Sequence, residues 1–204
     1  KGGSVLRTSC VAISLTLLAY RARLNEKEFA VIDGKEQTRY DGINTIHPAF
    51  SPDSKHIAFV GQRGSKHELV MDGQTYATHD YIGTLAQPFS PDNTRFAYRA
   101  GSSDKVFAVV DGEPQPGYDA IGEERPAFSP DGKHVAYRAL SGTTMYVVVD
   151  DTPEPSYDLM LNTVRCDDSA ELHYVAFKDD KAYLISHTLQ QQNAAAVATL
   201  ALKQ

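Results

Sequence analysis

Arg125-Pro126-Ala127-Phe128-Ser129-Pro130-Asp131-Gly132-Lys133-His134-Val135-Ala136-Tyr137-Arg138 opens one full copy of a unit that the chain repeats. The copy continues through Met145-Tyr146-Val147-Val148-Val149-Asp150 and closes at Tyr157-Asp158-Leu159-Met160. Its apolar runs are short, rich in β-branched and aromatic residues, and broken by Pro, Gly, Asp and Ser. They read as strands and turns. Ser-Pro-Asp-Gly is a tight reversal, because Pro pre-sets φ and Gly accepts a positive one. Moving outward, Asp33, Asp72, Asp111 and Asp150 stand 39 residues apart, and so do Asp41, Asp80, Asp119 and Asp158. Phe50, Phe89 and Phe128 keep the step, as do Tyr20, Phe59, Tyr98 and Tyr137. A fixed period of this size signals stacked copies of one supersecondary unit. Asp-Gly at Asp33-Gly34, Asp72-Gly73 and Asp111-Gly112 predicts a two-residue hairpin between the third and fourth strands. Four antiparallel strands per copy make a propeller blade. The expected fold is all-β: one β-propeller domain over residues 1–204, with five four-stranded blades at about 7–45, 46–84, 85–123, 124–162 and 163–204.

Phe50-Ser51-Pro52-Asp53, Phe89-Ser90-Pro91-Asp92 and Phe128-Ser129-Pro130-Asp131-Gly132 carry a resemblance to the WD-like repeats of TolB-type β-propellers. The ends depart from that pattern: Val11 to Leu17 replace the first copy, and Asp167 to Leu172, with one residue inserted, replace the last. The resemblance implies a fold and no reaction. TolB-like propellers usually have six blades, so part of a six-bladed ring is the alternative. The same resemblance implies a periplasmic or secreted location and leaves the cytoplasm open.

Composition is that of an ordinary globular chain, 42% hydrophobic and 23% charged. A net charge of −6 gives no electrostatic reason to bind nucleic acid or an anionic membrane, and neither partner is expected. The apolar run Cys10–Ala19 looks like a signal peptide's core, yet Ala19, Tyr20 and Ala22 fall in repeat register, so two strands of the first blade are expected there. The stretch Gln190–Gln204 has a helical composition, but its repeat position demands an outer strand. Cys10 and Cys166 occupy one repeat column, and reduced, small side chains are expected at both.

Residues present in every copy serve what every copy needs. Asp41, Asp80, Asp119 and Asp158 are therefore structural, accepting backbone N–H groups at the crossing between blades. Arg21, Arg99 and Arg138, which share a column, are expected to pair with those aspartates across blades. Binding should use residues that differ from copy to copy on loops at the channel mouth. His47, Gln87, Glu123, Glu124, Arg125, Asn162 and Arg165 form that candidate site. Glu123 and Glu124 are adjacent and point apart in extended chain, so they make no facing acid–base pair. No nucleophile stands beside His47, and no phosphate loop, dinucleotide fingerprint or metal motif appears, so no cofactor and no metal is expected. The expected function is a non-catalytic propeller that recognises a protein, peptide or glycan. A propeller hydrolase or lyase is the rival, and an assembly module the third reading.

Overall fold

The computed structural model describes residues 7–13, 18–44, 48–85, 87–122, 126–161, 164–167, 169, 171–189 and 196–200; for 7–13, 196–200, Arg165 and His187 it describes the backbone alone. Among these residues there are five antiparallel sheets, each following the last in the chain. The first runs from Arg7–Ile13 through Leu18–Leu24 and Lys27–Ile32 to Lys35–Glu36. The second combines Gly42–Ile43 and Ala49–Phe50 with Ile57–Arg63, Lys66–Met71 and Gln74–His79. The third starts at Tyr81–Ile82, the fourth at Ala120–Ile121 and the fifth at Leu159–Met160. The N-terminal stretch is a strand pair and Ala196–Leu200 pairs with Lys181–Thr188, as their repeat positions demand.

The turns form where the side chains prescribe. Asp33, Asp72, Asp111 and Asp150 all have positive φ, each followed by Gly34, Gly73, Gly112 or Asp151 with positive φ too. Two such residues in succession match the right-handed twist of the flanking strands. Each of these aspartates also accepts the N–H of a residue at the start of the long strand before the hairpin, Leu18, Ile57 and Val135, or just ahead of it, Phe96.

Apolar side chains alternate along each strand, and the two faces feed different clusters. Leu69 packs with the third sheet while Val70, beside it, packs with Ala30 and Tyr40 of the first. Val147 and Val149 join the fifth sheet, whereas Val148 joins the third. The core is thus a chain of layers, each sealed between consecutive sheets.

Pairing sets where each sheet begins. The sheets begin at residues 42, 81, 120 and 159, each four residues before the expected 46, 85, 124 and 163. The aspartates Asp41, Asp80, Asp119 and Asp158, and not the residues after them, make the crossing. Gly42–Ile43 pairs with Gln62 and Gly61, and Ala49–Phe50 with Ala58 and Ile57, so two short strands of the second sheet lie along one partner. A period sets the spacing of copies but leaves their phase to the hydrogen bonds.

Candidate functional site

The aspartates at the crossings tie consecutive sheets. Asp41 accepts from Lys27 Nζ in the first sheet and, at 2.7 Å, from the backbone N–H of Gly64 in the second. Asp80 does the same with Lys66 and, at 3.1 Å, with the N–H of Ser103. Asp119 accepts from Lys105 Nζ and from the N–H of Gly142, both at 2.6 Å, and Asp158 accepts from the N–H of Asp179 at 3.0 Å. Hydrogen bonds from the backbone and from lysine hold Asp41, Asp80 and Asp119 below the usual carboxylate range. Two members of the arginine column bond to backbone of the following sheet. Arg21 donates to the carbonyl of Ile43 at 3.1 Å, and Arg99 to those of Ile121 and Gly122 at 3.1 Å each. A planar fork of donors suits the bare carbonyls where the next innermost strand breaks off.

The Ser-Pro-Asp turns are closed by their serines, which are buried at 2%, 0% and 1% exposure for Ser51, Ser90 and Ser129. Each hydroxyl donates to the aspartate two residues on, at 2.7, 2.5 and 2.6 Å, and accepts an N–H five residues on at 2.9 Å. The Ser51 hydroxyl is the chief reason the Asp53 carboxyl lies at about 2. His56 and His134 lie 2.8 and 2.5 Å from Asp72 and Asp150. Side by side these Ser, His and Asp residues have the composition of a hydrolytic triad. Their hydroxyls, however, are spent on aspartate and backbone within each turn.

Of the sequence-predicted site residues, only Gln87 and Arg165 are among those described. His47, Glu123, Glu124, Arg125 and Asn162 lie outside the described residues. In sequence, His47 falls between Gly42–Ile43 and Ala49–Phe50, Glu123, Glu124 and Arg125 between Ala120–Ile121 and Ala127–Phe128, and Asn162 between Leu159–Met160 and Arg165–Cys166. Gln87 is exposed with φ +56, a left-handed backbone that few side chains adopt. Arg165 pairs through its backbone with His173 in the fifth sheet.

Beside the Ser-Pro-Asp and Asp-Gly turns lie two cavities that sequence reasoning missed. One, of about 310 Å³, is lined by His56, Met71, Tyr76, Phe96 and Asp111 between the second and third sheets. The other, of about 450 Å³, sits one repeat on, lined by Arg95, Val110, Asp111, Glu113, Gln115, Lys133, Val135, Tyr137, Asp150 and Asp151. The available signal was the column Gly34, Gly73, Gly112, where Asp151 breaks the pattern. In the fifth sheet, where the repeat motif is lost, His173 Nε2 lies 3.0 Å from Asp167 and 3.7 Å from Glu171. Asp167 there accepts the N–H groups of Ser169 and Glu171, which gives this trio a turn-closing role in place of the missing serine.

No protein-family model matches the chain, and no curated protein matches it in sequence. Solved structures do. A eukaryotic initiation factor aligns with a TM-score of 0.50 at 10% identity, over 92% of this chain and 53% of its own. The dihydro-heme d1 dehydrogenase NirN aligns with a TM-score of 0.46 at 12% identity, over 96% of this chain and 47% of its own. The β-propeller domain of Myceliophteria thermophila Cps50 (Swd1) aligns with a TM-score of 0.45 at 12% identity, over 97% of this chain and 73% of its own. The chain spans about half the length of the first two. It is an all-β protein of several small antiparallel sheets, with a propeller domain among its structural neighbours. At such identities the likeness is one of fold.

Proposed function

We propose that the chain is a binding or scaffold propeller, TolB-like in its repeats, that recognises a protein, peptide or glycan through the segments interrupting its innermost strands. One observation carries this reading. The second, fourth and fifth sheets each have an innermost strand in two halves, at one repeat position, and the arginines bonded to the strand end are repeated while the residues in between differ. Repeated supports with unrepeated inserts are how a rigid scaffold displays a recognition surface. The recurring Ser–Asp and His–Asp pairs serve the turns, which favours binding over hydrolysis.

The test is a screen of arrayed peptides and glycans with the wild-type chain and with a variant carrying His47→Ala, Glu124→Ala and Arg125→Ala. Retained binding to the same spots by the variant, at unchanged melting temperature, would sink the assignment. Turnover of a bound peptide or glycan would move the function to the hydrolase reading.

The sheets are proposed to be five blades of one domain, with the fifth beside the first. The face of the first sheet turned away from the second is buried at Ala22, Phe29 and Val31, as closure requires. Leu184, on the fifth sheet's far face, is 41% exposed and favours the alternative of a larger ring. Thiol cross-linking decides: a short bifunctional reagent should join Cys10 to the free Cys166 in a five-blade ring and leave them unjoined in a larger one.

A further inference from the structure

The cavity between the third and fourth sheets holds polar groups that the fold leaves unused. Its cations are engaged: Arg95 donates through Nε to Asp111 at 2.8 Å and through Nη1 to the Lys133 carbonyl at 2.5 Å. Lys133 Nζ lies 3.5 Å from Asp131. Two of its acids are engaged as well. Asp111 also accepts the Phe96 N–H, and Asp150 faces His134 and accepts the Val135 N–H. What remains among the described residues is the carboxylates of Glu113 and Asp151, which form neither a hydrogen bond nor an ion pair, and the hydroxyl of Tyr137. Tyr137 is 3% exposed and lines the cavity, and its oxygen is buried with no hydrogen-bond partner. A buried hydroxyl left unpaired is costly, and natural folds rarely tolerate one without a use for it.

The repeat sharpens the point. In the same column, Tyr98 has a partner in His79 at 3.2 Å, whereas Tyr137 has none. Asp151 stands where three other copies have glycine, and it holds φ +68 to do so. A left-handed backbone that carries an exposed carboxylate to the wall of a cavity also lined by the residue with the unpaired hydroxyl is a local departure from the repeat. Val110 and Val135 supply apolar wall between these polar ends. The volume of about 450 Å³ lies within the ~300–1,000 Å³ usual for small-ligand sites.

From this arrangement we infer that the cavity between the third and fourth sheets binds an aliphatic cation: an ammonium or guanidinium head on a methylene stem. The head would donate to the Asp151 and Glu113 carboxylates and to the Tyr137 oxygen, with the stem along Val110 and Val135. The cavity's lining includes none of the residues to which the proposed function assigns binding, and the inference stands apart from that function.

The probes are agmatine and acetyl-arginine amide, titrated into isotope-labelled protein and followed by backbone amide shifts, with glucose and acetate as comparisons. Saturable shifts around Glu113, Tyr137 and Asp151 are expected with the cations. Tighter binding of acetyl-arginine amide would mark a peptide side chain as the source, and tighter binding of agmatine a free amine. Asp151→Gly, which restores the repeat's glycine, should fold at least as well as the wild type and weaken agmatine about tenfold or more. Tyr137→Phe should weaken it about threefold to tenfold without loss of melting temperature. The inference is overturned by the absence of saturation up to ~10 mM agmatine, by equal binding in both variants, or by glucose shifting the same amides as strongly.

Discussion

The two grooves on either side of the third sheet are built from the same columns of the repeat and differ in what fills them. Between the second and third sheets, Tyr76 packs edge-on against Phe96 at 6.2 Å, and Phe96 packs against Phe89 at 4.9 Å. One repeat later the counterparts of Tyr76 and Phe96 are Gln115 and Val135, and the cavity grows from about 310 to about 450 Å³. Gly112 in the first groove lies beneath the Tyr76 hydroxyl, which an added Cβ would meet at 3.0 Å. Its counterpart in the second groove is Asp151. The hairpin turns and the aspartate ties of Asp80 and Asp119 recur on both sides, whereas the Arg99 tie to the fourth sheet has Val60 as its counterpart in the second. The cavities differ at three positions of the repeat, Tyr76 against Gln115, Phe96 against Val135 and Gly112 against Asp151.

The comparison breaks first at Phe96. Phe96→Val gives the filled groove the side chain of the open one, and Phe96 is buried in a cluster with Phe89, Tyr98 and Leu85. The expected loss is about 2–4 kcal/mol, read by chemical denaturation, since aromatic removal forfeits both burial and ring contacts. A loss below about 1 kcal/mol would show that the aromatic trio merely decorates the groove.

The reverse exchange is smaller. Gln115→Tyr should fill the open groove, change stability by about 1 kcal/mol or less, and abolish agmatine binding. Unimpaired binding in that variant would place the ligand elsewhere. Asp151→Gly removes a left-handed non-glycine residue and should raise stability by about 0.5–1 kcal/mol.

Why one level of this structure was legible in the sequence and another was not follows from the same columns. Repeated Asp33, Asp72 and Asp111 with their glycines announced hairpins, because a two-residue turn needs two residues that tolerate positive φ. Phase was another matter. Nothing local to Tyr81-Ile82 says that it pairs with Gly101 and Ala100 ahead of it rather than closing the strand behind it. That choice is made by inter-strand hydrogen bonds. The open groove was illegible for a further reason. Gln115 and Asp151 are 36 residues apart, and only the packing of one sheet on the next brings them to one cavity.

The smallest contrast lies in how carboxylates on the two kinds of site titrate. In the turns, Asp53, Asp92 and Asp131 are held below their ordinary value, chiefly by the serine hydroxyls bonded to them, with Asp53 at about 2. A carboxyl lowered in the folded state stabilises the fold above its unfolded value and loses that contribution as pH falls through the folded one. The turns should therefore loosen on acidification from about pH 4 toward pH 2. Asp151 is raised, first by burial and then by the neighbouring Asp150, while Arg95 pulls the other way. Its sign is opposite: the ionised form costs stability, and protonation on acidification relieves that cost. Carboxyl carbon shifts followed by magnetic resonance should show Asp151 titrating above Asp53 by more than one pH unit. Agmatine should bring the Asp151 midpoint down and leave that of Asp53 unmoved, because a bound cation favours the charged carboxylate only where it sits. Equal midpoints for the two residues in the free protein would mean that Asp151 is solvated like any turn carboxylate, and the difference between the grooves would then be one of volume alone.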